Sequence, residues 1–327
     1  MDQRNAGGRV PPAGSRSLAS ESTMTAPPVT AVVPTHNRPE LMKRAVTSIA
    51  EQNYEGPLEI LVVFDACDVE LPDISLRDGQ TLRGVKNSRA RGLAGARNTG
   101  IMEAGTDYVA FLDDDDFWLQ GKLAAQMEVL QRQPDAILVG TAMVVDDGQR
   151  THERLMSGDV ISHSDLVQKG LAGLHSSSLL FRRERLLGDL GLVDELLPRS
   201  YGEDYDLLLR ASALHPVAVV NRPLVNVTWQ GQSYFFGQWA LYAEALQYLL
   251  SKHPEFASNK KAIGRIQSQV AFSLAASGQK TDARSWARRA LKNDPGQVKA
   301  ALALAISTGL VTAPQVIRVV RRFGKGI

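Results

Sequence analysis

Apolar positions in the first half of the chain fall in short continuous runs, separated by stretches with helical spacing. Val29–Pro34 (VTAVVP) is β-branched, ends in a turn and reads as a buried strand. Pro39 stands where a helix would begin, and Leu41, Ala45 and Ile49 repeat behind it at helical spacing. Leu58–Phe64 (LEILVVF) predicts a second strand and Asp107–Leu112 (DYVAFL) a third. Gly92–Gly105 reads as a loop feeding a helix closed by Gly105, and Gly121–Gln133 as a helix stopped by Pro134. Strand and helix therefore alternate from about 29 to 145. Continuous rather than alternating apolar strands imply a sheet covered on both faces. The expected fold is α/β, a doubly wound, mostly parallel sheet flanked by helices, in which ligands bind beyond the carboxyl ends of the strands.

The second half is more mixed. Ser177–Glu184 and Val225–Trp229 look like strands, and Glu203–His215 like a helix whose acidic first turn suits its dipole. From Gln238 the pattern is helical throughout. In Ala271–Pro295, Gly278, Ala283, Ala290 and Pro295 fall at the offsets of a tetratricopeptide helix pair, with a degenerate second repeat in VKAALALAISTGL. About three such repeats are needed for independent stability, so this tail is expected to lean on the main domain. The chain divides into a leader (1–28), an α/β domain (29–237) and an all-helical C-terminal region (238–327).

Composition narrows the possibilities. The 327 residues carry a net charge of only +2, which points to neither nucleic acid nor an acidic partner. A single cysteine, Cys67, excludes an internal disulfide framework and a multi-cysteine zinc site. A reducing, cytoplasmic setting follows. No apolar run approaches the roughly 20 residues that span a bilayer. The first 28 residues, rich in Gly, Pro, Ala and Ser without an apolar core, read as a disordered leader rather than a secretory signal, with Met24 an alternative start.

The chemistry concentrates in Asp113–Asp116, four aspartates at the carboxyl end of the third strand, followed by Phe117 and Trp118. Packed carboxylates repel one another unless a cation neutralises them, and an oxygen-rich set suits Mg²⁺ or Mn²⁺ completed by phosphate oxygens. The competing reading is an acidic loop at a helix start, because Asp is common at N-caps. EF-hand spacing is missing, and so are G-x-G-x-x-G after the first strand, the P-loop, the G-x-S-x-G elbow and an H-E-x-x-H pair.

Four segments in order, VVPTHNRPELMKRAVTSI, EILVVFDA, GARNTGIMEAGTDYVAFLDDDDFW and YGEDYDLLLR, resemble the family 2 nucleotide-sugar glycosyltransferases of the GT-A fold over about Val29 to Gln232. The resemblance implies that Pro34, Thr35 and Asn37 form part of the nucleotide pocket, with Arg38 in reach of a phosphate. Asp65 matches the aspartate that contacts base or ribose. Phe64 replaces a second acidic residue often found beside it, which leaves base identity open. Gly95, Arg97 and Asn98 resemble the G-x-R-N element near the nucleotide. Asp113 and Asp115 match the two ends of the D-x-D motif: Asp113 toward ribose or a metal-bound water, Asp115 on the metal that holds the diphosphate. Asp114 is the tolerant middle position of this donor-binding set, and Asp116 caps the following helix or orients the metal ligands. Glu203–Asp204 resemble the catalytic-base element, with Asp204 as base and Glu203 supporting it. Gly191–Pro198 resembles the acceptor-side segment, where Asp194 and Glu195 would shape the pocket. Trp118, Tyr201 and Trp229 are candidates for stacking on sugar, and His175 for touching diphosphate or acceptor, each against a plain structural role.

The implied activity is inverting transfer from a nucleotide diphosphate sugar, most commonly a UDP-sugar, to a hydroxyl of a saccharide, cell-wall or lipid-linked acceptor, with Mg²⁺ or Mn²⁺. The alternatives are a sugar-phosphate nucleotidyltransferase, for which the glycine-rich basic loop after the first strand is missing, and a non-catalytic scaffold using the helical tail to hold a protein partner. The terminal VIRVVRRFGKGI alternates basic and apolar residues and is a candidate for peripheral contact with the inner face of the membrane, against a solvated final helix.

Overall fold

The computed structural model describes residues 26–171, 173–229 and 237–322. Its strands are β1 (Val29–Thr35), β2 (Leu58–Phe64), β3 (Gln80–Lys86), β4 (Tyr108–Phe111), β5 (Phe117–Trp118), β6 (Leu138–Asp146), β7 (Thr151–Arg154), β8 (Val160–Ile161), β9 (Leu180–Arg182) and β10 (Val217–Thr228). Helices α1 (Pro39–Ala50), α2 (Leu93–Glu103), α3 (Lys122–Arg132), α4 (His163–Lys169), α5 (Arg183–Leu187) and α6 (Glu203–Leu214) flank them. Five more form the C-terminal region: α7 (Trp239–Lys252), α8 (Lys260–Ala276), α9 (Lys280–Asn293), α10 (Val298–Thr308) and α11 (Ala313–Arg322).

All ten strands join one sheet, with the spine β3-β2-β1-β4-β9-β6-β10-β5. The long pairings, β1 with β2 and β4, β2 with β3, and β6 with β10, are parallel, and the short ones are antiparallel. Alternate residues of β1 and β2 enter two separate cores. Val32, Leu61 and Val63 face α2, α6 and the C-terminal helices, whereas Ala31, Val33, Ile60 and Val62 face α1 and α3. That two-sided burial is why these strands read as unbroken apolar runs. Strand order reverses at β1, which lies between β2 and β4, so a crevice opens beyond the carboxyl ends of β1 and β4.

Two glycines let α2 approach its neighbours closely, the sheet at Gly100 and the preceding loop at Gly95. A Cβ on Gly100 would fall 2.2 Å from Val32 Cγ1, and one on Gly95 would fall 1.8 Å from the Ala90 carbonyl oxygen. Glycine is required at both for the close approach.

Three segments differ from the sequence-based expectation. The run 177–184 is not one strand: a 3-10 turn covers Ser176–Ser178, β9 takes three residues, and α5 begins at Arg183. Ser178 Oγ donates to the His175 carbonyl at 2.6 Å, and such local side-chain bonds compete with a sheet ladder. Strand β3 (QTLRGVK) has no apolar run to announce it, because it is a half-exposed edge strand. Of the expected leader, residues 1–25 lie outside the described residues, but Pro27 already belongs to the fold, its carbonyl accepting a hydrogen bond from the Tyr54 hydroxyl.

The helical region does lean on the sheet domain. Arg265 of α8 donates to the Val167 carbonyl and to the Tyr205 hydroxyl at 3.1 and 3.0 Å, and the Tyr201 ring meets Tyr242 edge-on. Ala283, Ala287 and Ala290 of α9 are fully buried. Ala313 and Val316 of α11 are buried against the same core, so this side of the helix is not free to lie in a membrane. Residues 323–327, the rest of that candidate segment, are outside the described residues. Among the described residues no helix is long and apolar enough to cross a membrane.

Candidate active site

The crevice beyond β1 and β4 holds a cavity of about 460 Å³ lined by Pro34, Thr35, His36, Arg38, Asp65, Arg91, Gly92, Asp113, Asp114, Asp115 and Arg199 among others. That is the size range of small-ligand pockets, about 300–1,000 Å³. β1 delivers Thr35 and Arg38 to one wall, and β4 delivers the aspartates to the next.

The four aspartates have four different environments. Asp114 accepts from Thr35 Oγ1 at 2.8 Å and from Arg38 Nη1 at 3.1 Å, and the same guanidinium nitrogen lies 3.2 Å from Asp115 Oδ2. Asp113 accepts from Arg97 Nη2 at 2.5 Å and from Ser176 Oγ at 2.9 Å. Asp116 accepts from Ser177 Oγ at 2.6 Å and from the Thr228 backbone N–H at 2.9 Å, and His175 Nδ1 is 3.4 Å away. Asp116 therefore ties β10 to the serine turn and does not cap α3, whose N-cap is Gly121 with no side-chain bond. Asp115 keeps the largest solvent share, its side chain 41% exposed beside Arg38.

Burial pushes the Asp114 carboxyl up to about 6 against the pull of the Thr35 hydroxyl and Arg38. Burial and the neighbouring Asp113 charge also raise Asp115. Burial raises Asp116 despite His175 beside it. For Asp113 burial acts in the same direction, but the Arg97 guanidinium and His175 outweigh it and hold the group below the ordinary carboxylate value. The cluster is thus short of positive charge, with an all-oxygen donor set on its cavity side. Asp113, Asp116 and His175 also bring one ligand atom each within 4.8 Å of one another. The Ser177 and Thr228 contacts already take up the Asp116 oxygens.

Arg97 links the aspartates to α6. It is 1% exposed and donates through Nη1 to Glu203 as well as through Nη2 to Asp113. Glu203 is itself buried, and burial raises its carboxyl despite Arg97. Asp204, the next residue, is half-buried, and its Oδ1 accepts from the Tyr205 backbone N–H at 2.7 Å. Its charge is felt at both Arg97 and His175.

Of the G-x-R-N element, Ala96 lines the cavity, and Gly95, Arg97 and Asn98 do not. Asn98 donates to the Val193 carbonyl at 2.8 Å and to Glu195 Oε1 at 2.7 Å, and accepts from the Val193 N–H at 2.9 Å. Gly95 packs on Ala90. Asn37 supplies a left-handed turn residue with φ of 53° between β1 and α1. Asp65 reaches the cavity, held by Asn87 Nδ2 at 2.7 Å and the Gly92 N–H at 3.0 Å. Asp194 and Glu195 have their carboxylates occupied: Asp194 by Tyr248 and Lys252, Glu195 by Arg89 and Asn98. Trp118 is core, its Nε1 donating to the Ser177 carbonyl at 2.9 Å, and Tyr201 is buried beside Tyr242. Trp229 is 46% exposed with the Arg154 guanidinium over its ring.

Sequence reasoning overlooked Arg91 and Arg199, which line the cavity, and the supporting role of Ser176 and Ser177. The SRARG stretch before α2 carried a basic signal for Arg91. Nothing local marks Arg199, which reaches the cavity from a turn in which it and Ser200 both have positive φ (54° and 58°).

An acidic cluster at the switch point of a mostly parallel sheet, with a buried arginine joining it to a second acidic pair, defines the class: a GT-A glycosyltransferase fold. The family model of glycosyl transferase family 2 matches residues 30–187 of the chain. An uncharacterized glycosyltransferase of Rickettsia felis is 27% identical over 202 residues, covering 58% of this chain and 32% of that protein. The UDP-Glc:alpha-D-GlcNAc-diphosphoundecaprenol beta-1,3-glucosyltransferase WfgD of Escherichia coli is 27% identical over 125 residues, 36% of this chain and 47% of that protein. The chain thus matches only 32% and 47% of these relatives' own length. The crystal structure of S. aureus TarS 1-349 in complex with UDP-GlcNAc shares the fold with a TM-score of 0.52 at 14% identity, covering 86% of this chain and 92% of that one.

Proposed function

We propose that the protein transfers a sugar from a nucleotide diphosphate sugar to a hydroxyl of a lipid-linked or cell-wall glycan, with inversion at the anomeric carbon. The observation that carries this reading is the cavity itself. Asp113 and Asp115 line it, and Arg97 couples that wall to the helix start bearing Glu203 and Asp204. The relative WfgD is named for a UDP-glucose donor and a diphosphoundecaprenol-linked acceptor, which supports a UDP-sugar and a lipid-linked glycan here.

The donor set fits a hard divalent cation, Mg²⁺ or Mn²⁺. It consists of carboxylate oxygens, and Asp115, whose side chain is 41% exposed, is raised by burial and then by its like-charged neighbour Asp113. Asp113 and Asp115 would hold the ion, which when bound supplies positive charge to the diphosphate. Thr35 and Arg38 fix Asp114 and orient this wall, and Asp65 would meet ribose or base. Glu203 is engaged by Arg97 and serves to position its neighbour, so Asp204 is left as the base. The acceptor O–H proton passes to the Asp204 carboxylate as the oxygen bonds to the anomeric carbon. The bond from that carbon to the diphosphate oxygen breaks, and its electron pair leaves with the nucleoside diphosphate.

The test is a screen of UDP-, GDP- and dTDP-sugars for thermal stabilisation with Mn²⁺ present, followed by product analysis. A stabilising sugar nucleotide that is turned over to the nucleoside diphosphate supports the reading. Release of pyrophosphate instead, or no stabilisation by any of them, refutes it.

A further inference from the structure

α6 begins at the base element, yet its start is not held by a cap of its own. The N-cap is Gly202, in a left-handed conformation with φ of 76° and no side chain to cap the helix; the Tyr205 N–H is taken only by the adjacent Asp204 Oδ1 at 2.7 Å. Since an uncapped helix start is prone to fray, tertiary contacts must hold it. Arg97 grips Glu203. One turn further on stands Asp206, on the same face as Glu203 and about 200° around the helix from Asp204 at 3.6 residues per turn.

Asp206 is fully buried and is met by three cationic or cation-capable side chains. Arg210 Nε lies 2.9 Å from Oδ2, and Lys252 Nζ and His253 Nε2 lie 2.7 and 2.9 Å from Oδ1. Two of these three belong to the end of α7, outside the sheet domain. Lys252 also bonds Asp194 at 2.5 Å, and Tyr248, one turn earlier on α7, donates to the same carboxylate at 2.8 Å. Arg210 reaches the Leu192 carbonyl at 2.9 Å. The segment 190–195 that precedes the base element is thereby tied to the same buried carboxylate through Arg210 and Lys252.

We infer that the C-terminal helical region is a working part of the catalytic unit, and that Lys252 and His253 are positioning residues. They clamp Asp206 and Asp194, and so set the orientation of the helix start that presents Asp204 and of the acceptor-side segment beside it. The catalytic half of this inference rests on the transferase reading above; the mechanical half does not. An ammonium shared by two carboxylates from separate segments fixes both at once, and a misplacement of about 1 Å at a reacting group costs on the order of 100-fold in rate. Donor binding is expected to change little, because most of the cavity wall lies beyond β1 and β4 and at the start of α2, and only Arg199 comes from the turn before α6.

The experiment uses the full chain with Lys252→Met, Lys252→Arg and His253→Gln. Hydrogen–deuterium exchange reads the mechanical half. In Lys252→Met, peptides covering 190–196 and 203–214 are expected to exchange about tenfold faster while β1 and β2 are unchanged. Calorimetry with UDP and Mn²⁺, and turnover of the sugar nucleotide identified by the donor screen, read the catalytic half. The dissociation constant should stay within about twofold while kcat falls at least about tenfold, and Lys252→Arg should keep most of both exchange protection and kcat. Unchanged exchange in 203–214 overturns the clamp. Accelerated exchange with unaltered kcat, or loss of UDP binding in parallel with kcat, overturns its positioning role. Should the wild-type chain bind no sugar nucleotide, the proposed function fails, and the exchange data still decide whether the clamp exists. If Lys252→Met does not fold, His253→Gln supplies the same comparison with one bond removed instead of two.

Discussion

Arg97 is the residue on which the site's geometry most depends. It is 1% exposed and donates to two carboxylates, Glu203 at the start of α6 and Asp113 beyond β4. Arg97→Met would keep much of the side-chain volume and the contact with the Phe111 ring, but remove the charge. Breaking a buried pair by deleting one partner costs about 3–5 kcal/mol, because the other charge is stranded. Asp113 keeps Ser176 Oγ, and 19% of its side chain is exposed, so most of the penalty should come from Glu203, whose side chain is 7% exposed. We expect a loss of about 3 kcal/mol, a large share of the roughly 5–15 kcal/mol typical of folded domains. Arg97→Met/Glu203→Gln removes the stranded charge and should recover about 2 kcal/mol of it. Urea unfolding of both variants followed by circular dichroism measures the two numbers, with the slope checked for constancy. The reasoning is refuted if Arg97→Met costs less than about 1 kcal/mol, or if the double variant is no more stable than the single one.

Asp115→Ala should abolish Mn²⁺-dependent UDP binding, whereas Asp204→Asn should leave that binding intact and lower turnover by about 10²–10⁴-fold, as calorimetry and product release would read. Asp206 is held down to about 2: burial pushes it up, but His253, Arg210 and Lys252 more than reverse that. A depressed folded-state value means that its stabilisation is present above the unfolded value and is lost as pH falls toward 2. The wild-type chain should lose about 2 kcal/mol between pH 4.5 and 2 that Asp206→Asn does not lose, and coincident stability–pH curves would contradict this. Gly95→Ala forces a methyl to within 1.8 Å of a backbone oxygen and should cost about 1–3 kcal/mol, while Gly105→Ala meets nothing within 4 Å and should be neutral or slightly stabilising in thermal melts.

The elements that the apolar pattern announced are those whose environment is uniform. β1 and β2 are buried on both faces, and α1 carries one buried stripe, so each shows its period in a local window. β3 and the serine turn escaped because edge exposure and local side-chain bonds, not apolar content, decide them. The aspartate cluster was legible because four like charges after a buried strand are costly without a purpose. Asp65, Arg38 and Asp113–Asp115 do reach one cavity. Arg97 and Asn98, adjacent in sequence and read together as nucleotide contacts, part company: one bridges Asp113 to Glu203 and the other anchors Val193 and Glu195. Neighbours on a helix point about 100° apart, so no short motif can say which of two adjacent side chains faces the ligand.

By itself the sequence determined the alternation of elements, the two-sided sheet, the acidic edge and the helical nature of the C-terminal region, because these are periodicities and charge densities within a few tens of residues. Only the tertiary structure decided that Arg97 serves two carboxylates, that Asp116 holds a strand instead of a helix, and that Lys252 closes on Asp194 and Asp206 from far along the chain. Such pairings arise when packing removes water from both partners and makes each the other's cheapest neutralisation. That condition does not exist until the chain has folded.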